Sequence, residues 1–318
     1  MKNRTHIKGV AAGLVSAVLL GSAPIFAKLA MSGGEGFSPF FIVMFRSIAA
    51  SLLMFIFIVV FRRKFLYIYP LGLVGCVLAG ILNGIGSILY YTALARMDAS
   101  IGQLIYSSYP LFVAFWLLLD RQPLRWMTIV RLMICLPGIY LLLVVGRNSS
   151  IDLIGVLLMF GAAILYALHL IINQRILYDA PAPTVTFYTL LSMSLVVTTA
   201  FLLFDRHIPA AHLNWWPVLA MAAILFLSRL TLFLGVKHLG GLQTAILGLG
   251  ELLTTVIMAT IWLGENLTVW QWIGGGLLAL SLFLVGFDKP TSLKRPAKGI
   301  LSWLTPPQVE PGDIDWNS

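Results

Sequence analysis

The chain has 318 residues, 59% of them hydrophobic and 10% charged, with a mean hydropathy of +0.95 and a formal net charge of +9. A soluble domain carries about 25% charged residues because its surface faces water, so an ordinary soluble enzyme is excluded. The positive charge does not indicate nucleic acid, because the bases flank apolar runs instead of forming a patch, and no nucleic-acid partner is expected.

Apolar runs of roughly 20 residues match the bilayer core at 1.5 Å rise per helical residue. Period-two alternation is absent, and a helix satisfies its backbone polar groups internally. The expected fold class is therefore all-α, a polytopic membrane protein of ten transmembrane helices. They fall near 9–31, 39–61, 70–94, 101–119, 127–145, 151–172, 184–204, 216–236, 242–263 and 267–287. The first span follows Lys2, Arg4 and Lys8, as in a signal peptide, but its apolar stretch is too long for a cleaved signal core. Connections such as 32–38 and 264–266 leave no room for an extramembrane domain. Cys76 and Cys135 lie inside apolar runs and read as packing residues. The tail from Asp288, rich in Pro and Lys, reads as a disordered cytoplasmic end, with the alternative that its Ile300–Leu304 patch rests on the membrane.

Lysine and arginine orient the spans. With the N-terminus inside, the inner segments carry Lys2, Arg4, Lys8, Arg62, Arg63, Lys64, Arg121, Arg125, Arg175, Lys237, Lys289, Lys294, Arg295 and Lys298, fourteen in all. The outer loops carry three, Arg96, Arg147 and Arg206. Under the positive-inside rule both termini are expected in the cytoplasm.

The two halves are weakly alike. Gly9-Val10 aligns with Gly155-Val156, and IGQLIYSSYPLFVAFWLLL (101–119) resembles LQTAILGLGELLTTVIMATIWL (242–263), each followed by a polar turn and a Trp, Trp126 or Trp270. Five helices per copy is an odd number, so the second copy enters from the opposite side as an inverted repeat. Secondary transporters commonly use that design, with the site at mid-membrane between the halves. The expected organisation is an N-terminus (1–8), two five-helix repeats (9–146 and 147–287) and the tail (288–318).

Several segments carry a resemblance: GSAPIFAK (21–28), FRSIAAS (45–51), YYTALARMDASIGQLIYSSYPLF (90–112) and ELLTTVIMATIWLGENLT (251–268). In their order and spacing the chain resembles the EamA-type members of the drug/metabolite transporter superfamily over about residues 8–287. The resemblance implies a secondary transporter of the bacterial inner membrane, often an exporter of amino acids or other metabolites, with a central cavity between the halves. Two positions depart from the pattern. Asp120 stands a few residues before the family's usual carboxylate after span four, and Leu252 replaces a common proline after the span-nine glutamate.

Ionisable groups inside a membrane are costly and are functional candidates by default. Here they are Lys28, Arg46, Arg131, His169, Arg229 and one acid, Glu251. Arg131 lies about a turn inside the cytoplasmic end of span five, close enough to snorkel to the headgroups. His169 is read as an interfacial hydrogen-bonding residue. Lys28, a turn from the outer end of span one, either snorkels or meets a substrate carboxylate; the deeper Arg46 either ties to carbonyl groups at a helix end or contacts substrate. Arg229 and Glu251 fall at matching depths on consecutive antiparallel spans, which suggests a pair: either a static salt bridge or a proton-operated switch with Glu251 as the coupling carboxylate.

Asn83, Ser87 and Tyr90 recur at helical spacing on one face of span three, and Gln103, Tyr106, Ser107 and Pro110 line one face of span four. Both faces are read as cavity walls, with tight helix packing as the alternative, and Pro110 frees a backbone carbonyl near mid-membrane. No cofactor and no metal are expected, and no enzymatic site. The expected partners are a small-molecule substrate and membrane lipids, in a monomer or homodimer.

Overall fold

The computed structural model describes residues 2–32, 36–121, 126–144, 152–206, 209, 213–264, 268–285 and 299–304. Among the described residues every regular element is helical: α1 (Lys2–Met31), α2 (Pro39–Phe61), α3 (Pro70–Arg96), α4 (Ala99–Tyr106), α5 (Tyr109–Leu119), α6 (Trp126–Val144), α7 (Leu153–Leu177), α8 (Ala182–Phe204), α9 (Trp216–Leu239), α10 (Gly241–Leu247), α11 (Leu249–Met258) and α12 (Val269–Val285). A 3₁₀ turn covers Arg63–Leu66, and a π turn at Ala259–Leu263 extends α11.

Eight segments of the described residues are long and apolar enough to cross a membrane: His6–Met31, Pro39–Phe61, Pro70–Arg96, Ala99–Leu119, Leu153–Leu177, Ala182–Phe204, Trp216–Leu239 and Gly241–Leu263. The fold is that of a multi-pass membrane protein. Two further helices, α6 and α12, pack against each other.

Local chemistry sets the helix starts. Ser38 Oγ accepts the Phe41 N–H at 3.1 Å and Pro39 opens α2, where its missing N–H costs nothing. Asp152 Oδ1 accepts the Ile154 N–H at 3.0 Å to cap α7. Its carboxyl is held below the usual carboxylate range by the hydrogen bond from Arg96, aided by backbone N–H groups.

Two of the expected spans are broken. The fourth is interrupted at Ser107–Ser108 between α4 and α5, and the ninth at Gly248 between α10 and α11. At Gly248 a β-carbon would stand 1.7 Å from Tyr109 Oη, so the hydroxyl, which donates to the Ala245 carbonyl at 3.0 Å, occupies the space that a side chain would need. The two breaks therefore touch at the centre of the molecule.

Helix packing repeats under exchange of the halves. α1 runs along α9 as α7 runs along α3; α2 packs on α9 as α8 packs on α3. α1 also meets α11, and α7 meets α5. These close approaches depend on small residues. A β-carbon on Gly21 would lie 2.4 Å from the Glu251 carbonyl oxygen, and one on Gly80 2.7 Å from the Thr189 carbonyl oxygen.

One face of the molecule gathers the ends of α2, α5, α7 and α9 and the starts of α3, α8 and α10. It is tied by Thr184 Oγ1 to the Phe65 carbonyl (2.7 Å), Tyr188 Oη to the Leu66 carbonyl (2.6 Å) and Lys237 Nζ to the Ala180 carbonyl (3.2 Å). Arg62, Arg63, Lys64, Arg121, Arg175 and Lys237 belong to this basic face. The opposite face holds the Arg96–Asp152 ion pair at 2.9 Å and a contact between Ser38 and the Asp205 carboxylate.

The structure departs from expectation in the tail. Within the segment read as disordered, Gly299–Leu304 forms a folded turn with Leu301 and Leu304 buried among apolar side chains. The reason is local composition: two leucines three residues apart fall on one side of a turn and have apolar surface to cover. The side chains of Arg131 and Cys135 lie outside the described residues, whereas Cys76 is fully buried.

Candidate functional site

A cavity lies between the halves. It is lined from α1 (Leu20, Ala23, Pro24), α2 (Arg46), α3 (including Asn83, Ser87, Tyr90 and Tyr91), α4 (Gln103, Tyr106), α7 (Ala162, Tyr166), α9 (Leu225, Arg229) and α11 (Glu251). Arg46 and Tyr90 stand about two turns from the helix ends on the face opposite the basic one, so the cavity is displaced toward that side. Toward the basic face it is floored by aromatic rings. Tyr106 and Tyr109 meet Tyr166 at centroid distances of 5.5 and 5.0 Å, Tyr166 meets His169 at 5.7 Å, and His169 meets Phe233 at 5.8 Å.

Each charged side chain is set by a helix contact. Thr255 Oγ1 donates to the Gly21 carbonyl at 2.7 Å, fixing α11 against α1 one turn from Glu251. Ser16 Oγ donates to the Ser228 carbonyl at 3.0 Å, fixing α9 beside Arg229. Pro24 lacks the N–H that would bond the Leu20 carbonyl, which opens the ladder of α1 where both residues line the cavity.

Arg46 Nη1 donates to Tyr91 Oη at 2.8 Å, and its guanidinium stands over the Tyr91 ring at 4.2 Å. Arg229 Nη2 donates to Asn83 Oδ1 at 2.9 Å, and Nη1 approaches His169 Nε2 at 3.4 Å. Both arginines are buried, and the Nε of each has no hydrogen-bond partner. Glu251 accepts from Gln103 Nε2 at 3.4 Å, and Gln103 Oε1 accepts the Tyr90 hydroxyl at 2.7 Å. The wall thus presents two guanidinium groups and one carboxylate within a ring of tyrosines. That donor-rich set suits a ligand bearing a carboxylate, with Glu251 available to a cationic group.

Of the residues singled out from sequence, Asn83, Ser87, Tyr90, Gln103, Tyr106, Arg46, Arg229 and Glu251 meet at this one cavity. Pro110 does not line it. Because the chain breaks at Ser107–Ser108, Pro110 sits in the first turn of a new helix, buried behind the wall. Lys28 also lies off the wall, about one turn beyond Pro24 toward Met31, half-buried.

Arg229 and Glu251 do not form the expected salt bridge. α9 meets its neighbouring span through α10, while α11, which carries Glu251, packs along α1; the two groups line one cavity without bonding each other. His169 is not interfacial: it is fully buried, with Nδ1 3.1 Å from the Ala79 carbonyl. A proton on Nδ1 satisfies that carbonyl and leaves Nε2 as the acceptor toward Arg229. Tyr91, Tyr166 and Pro24 were missed, although Tyr166 and His169 share a helix face and a proline inside an apolar span is a visible signal.

The sequence profile of the EamA-like transporter family matches this chain twice, over residues 7–144 and 153–287. The chain belongs to the EamA-like transporter family. A Synechocystis protein described as an uncharacterized transporter is 24% identical over 237 residues, covering 70% of this chain and 69% of the relative. A solved crystal structure at 15% identity superposes with a TM-score of 0.69 over 88% of this chain and 98% of the other, a likeness of fold. With its apolar helices, this family membership makes the chain a membrane protein of a transporter family.

Proposed function

We propose that this EamA-family chain is a secondary active transporter of the bacterial inner membrane that exports small organic metabolites, amino acids or related compounds, by alternating access. In this reading all ten helices cross the membrane, the halves are inverted five-helix repeats, and both termini are cytoplasmic, with the basic face inward under the positive-inside rule. The observation that carries the reading is the shared cavity, in which Arg46 and Arg229 face Glu251 beside the two broken helices. Broken helices at mid-membrane are a recurrent way to expose polar backbone to a transported solute.

In this mechanism a substrate carboxylate meets Arg46, whose Nε is unpartnered and whose other contact is a neutral phenol. Glu251 takes and releases the coupling proton. When ionised it accepts from Gln103; when protonated it can donate, so one proton alters the Glu251–Gln103–Tyr90 chain that joins the two halves. The monomer contains a whole cavity, so a homodimer would not be required for transport.

The test is uptake into proteoliposomes of a panel of amino acids and cationic dyes, with and without an imposed proton gradient. Saturable, gradient-dependent uptake of a carboxylate-bearing solute is the expected result. Non-saturating flux would make the protein a passive channel, and lipid transfer without solute uptake would make it a scramblase; either overturns the proposal.

A further inference from the structure

A second polar cluster lies far from the cavity, on the basic face. Asp120, just past α5, and Arg175, in the last turn of α7, form a buried ion pair between the halves. Asp120 Oδ2 accepts Arg175 Nε at 3.0 Å and Nη2 at 2.7 Å, with side chains 2% and 0% exposed. The other oxygen, Oδ1, accepts the backbone N–H of Leu301 at 3.0 Å. The carboxylate thus holds α7 with one oxygen and the C-terminal turn with the other.

That turn is fitted closely. Gly299 has φ +143°, and a β-carbon there would stand 2.3 Å from Asp120 Oδ1 and 2.4 Å from the Asp120 carbonyl oxygen. Few residues other than glycine accept that conformation, and none has room. Leu301 is 8% and Leu304 0% exposed, in one apolar cluster with Leu117, Ile176 and Cys76. Leu304 Cδ2 would lie 2.9 Å from a β-carbon on Gly75, in the first turns of α3. Ile300 and Trp303, on the other side of the turn, are exposed.

The connectivity gives this contact its consequence. The chain reaches Gly299 from α12, in the second half, yet it docks on Asp120 and Gly75, in the first. We propose that Gly299–Leu304 is a latch that ties the halves together on the basic face and must release for the cavity to open there. The inference rests on the alternating-access reading given above. Rocking the halves apart separates Asp120 from Arg175, and the carboxylate left behind would be buried beside an apolar turn. Losing one partner of a buried pair is strongly unfavourable, so the turn must leave with it and let water reach Asp120. A docked latch therefore biases the protein toward the state closed on this side, and undocking shifts the population.

The experiment measures the opening directly. Spin labels are placed at Arg62→Cys and Lys237→Cys, on the first and second halves of the basic face, in the full chain with Cys76 and Cys135 replaced by alanine. Distances are read by pulsed electron paramagnetic resonance. Gly299→Ala and Leu304→Asn, which leave Asp120, Arg175 and the cavity intact, are each expected to at least double the long-distance fraction. Ile300→Ser, on the exposed side, is expected to give the parental distribution. Parental distributions in both docking variants, or equal widening in Ile300→Ser, would overturn the latch. Widening without uptake of any solute would support the latch while sinking the transport reading; uptake with unchanged distances would do the reverse.

Discussion

Arg229 and Glu251 face one cavity from α9 and α11 without pairing, and α1 packs against both helices. Arg229 is instead held by Asn83, and Glu251 by Gln103. A direct salt bridge would cancel two charges and leave a neutral wall. Held apart by neutral partners, both groups can meet a ligand, and the carboxylate can change its proton without first breaking an ion pair.

The proton role of Glu251 predicts a separation of two activities. In Glu251→Gln the amide can still bond Gln103, so packing is preserved, but no proton can be exchanged. Solute exchange across proteoliposomes with equal pH is expected to persist, while the response to an imposed proton gradient is lost. A gradient response equal to that of the parent would remove Glu251 from coupling.

Arg46 is expected to act on substrate affinity. Among the described residues its buried guanidinium has an unpartnered Nε and bonds one side chain, Tyr91. A hydrogen bond to a charged group contributes about 1.5–3 kcal/mol, so Arg46→Gln should weaken binding by roughly 10- to 150-fold. Uptake kinetics should show this mainly in KM, with the purified variant keeping its melting temperature. An unchanged KM would place the substrate carboxylate elsewhere.

The positions of the helices along the chain were legible in the sequence; their neighbours were not. The apolar runs located the helices because hydrocarbon allows few alternatives, and the spacing of Asn83, Ser87 and Tyr90 gave a face that does line the cavity. Counting along helices placed Arg229 and Glu251 at one level. It could not reveal that their partners are Asn83 and Gln103, since that depends on which helices touch. Arg175 looked like a loop base because it ends an apolar run, and its ion pair with Asp120, 55 positions away, was not visible. Leu301 and Leu304 looked like part of a disordered tail because two leucines make no periodic signal.

The Asp120–Arg175 pair predicts a non-additive stability effect. Arg175→Met removes the guanidinium bonded to Asp120 Oδ2, and breaking a buried pair costs about 3–5 kcal/mol. Replacing both residues, Asp120→Leu with Arg175→Met, removes the buried carboxylate as well and should recover much of that loss. Thermal unfolding in detergent of the two single variants and the double variant measures the coupling. Additive losses would mean that the two side chains do not act as a pair.

The crossing of the two broken helices makes the last prediction. Gly248 leaves room for the Tyr109 hydroxyl, which donates to the Ala245 carbonyl in the last turn of α10. Gly248→Ala would drive its methyl group into that oxygen, and overpacking of this kind costs about 1–3 kcal/mol. Tyr109→Phe alone loses one buried hydrogen bond, about 0.5–1.5 kcal/mol. Combined with Gly248→Ala, however, it removes the atom in the way, so the double variant should be more stable than Gly248→Ala alone. Melting temperatures of the three variants decide the matter. If Tyr109→Phe fails to rescue Gly248→Ala, the two breaks are not held in register by this contact.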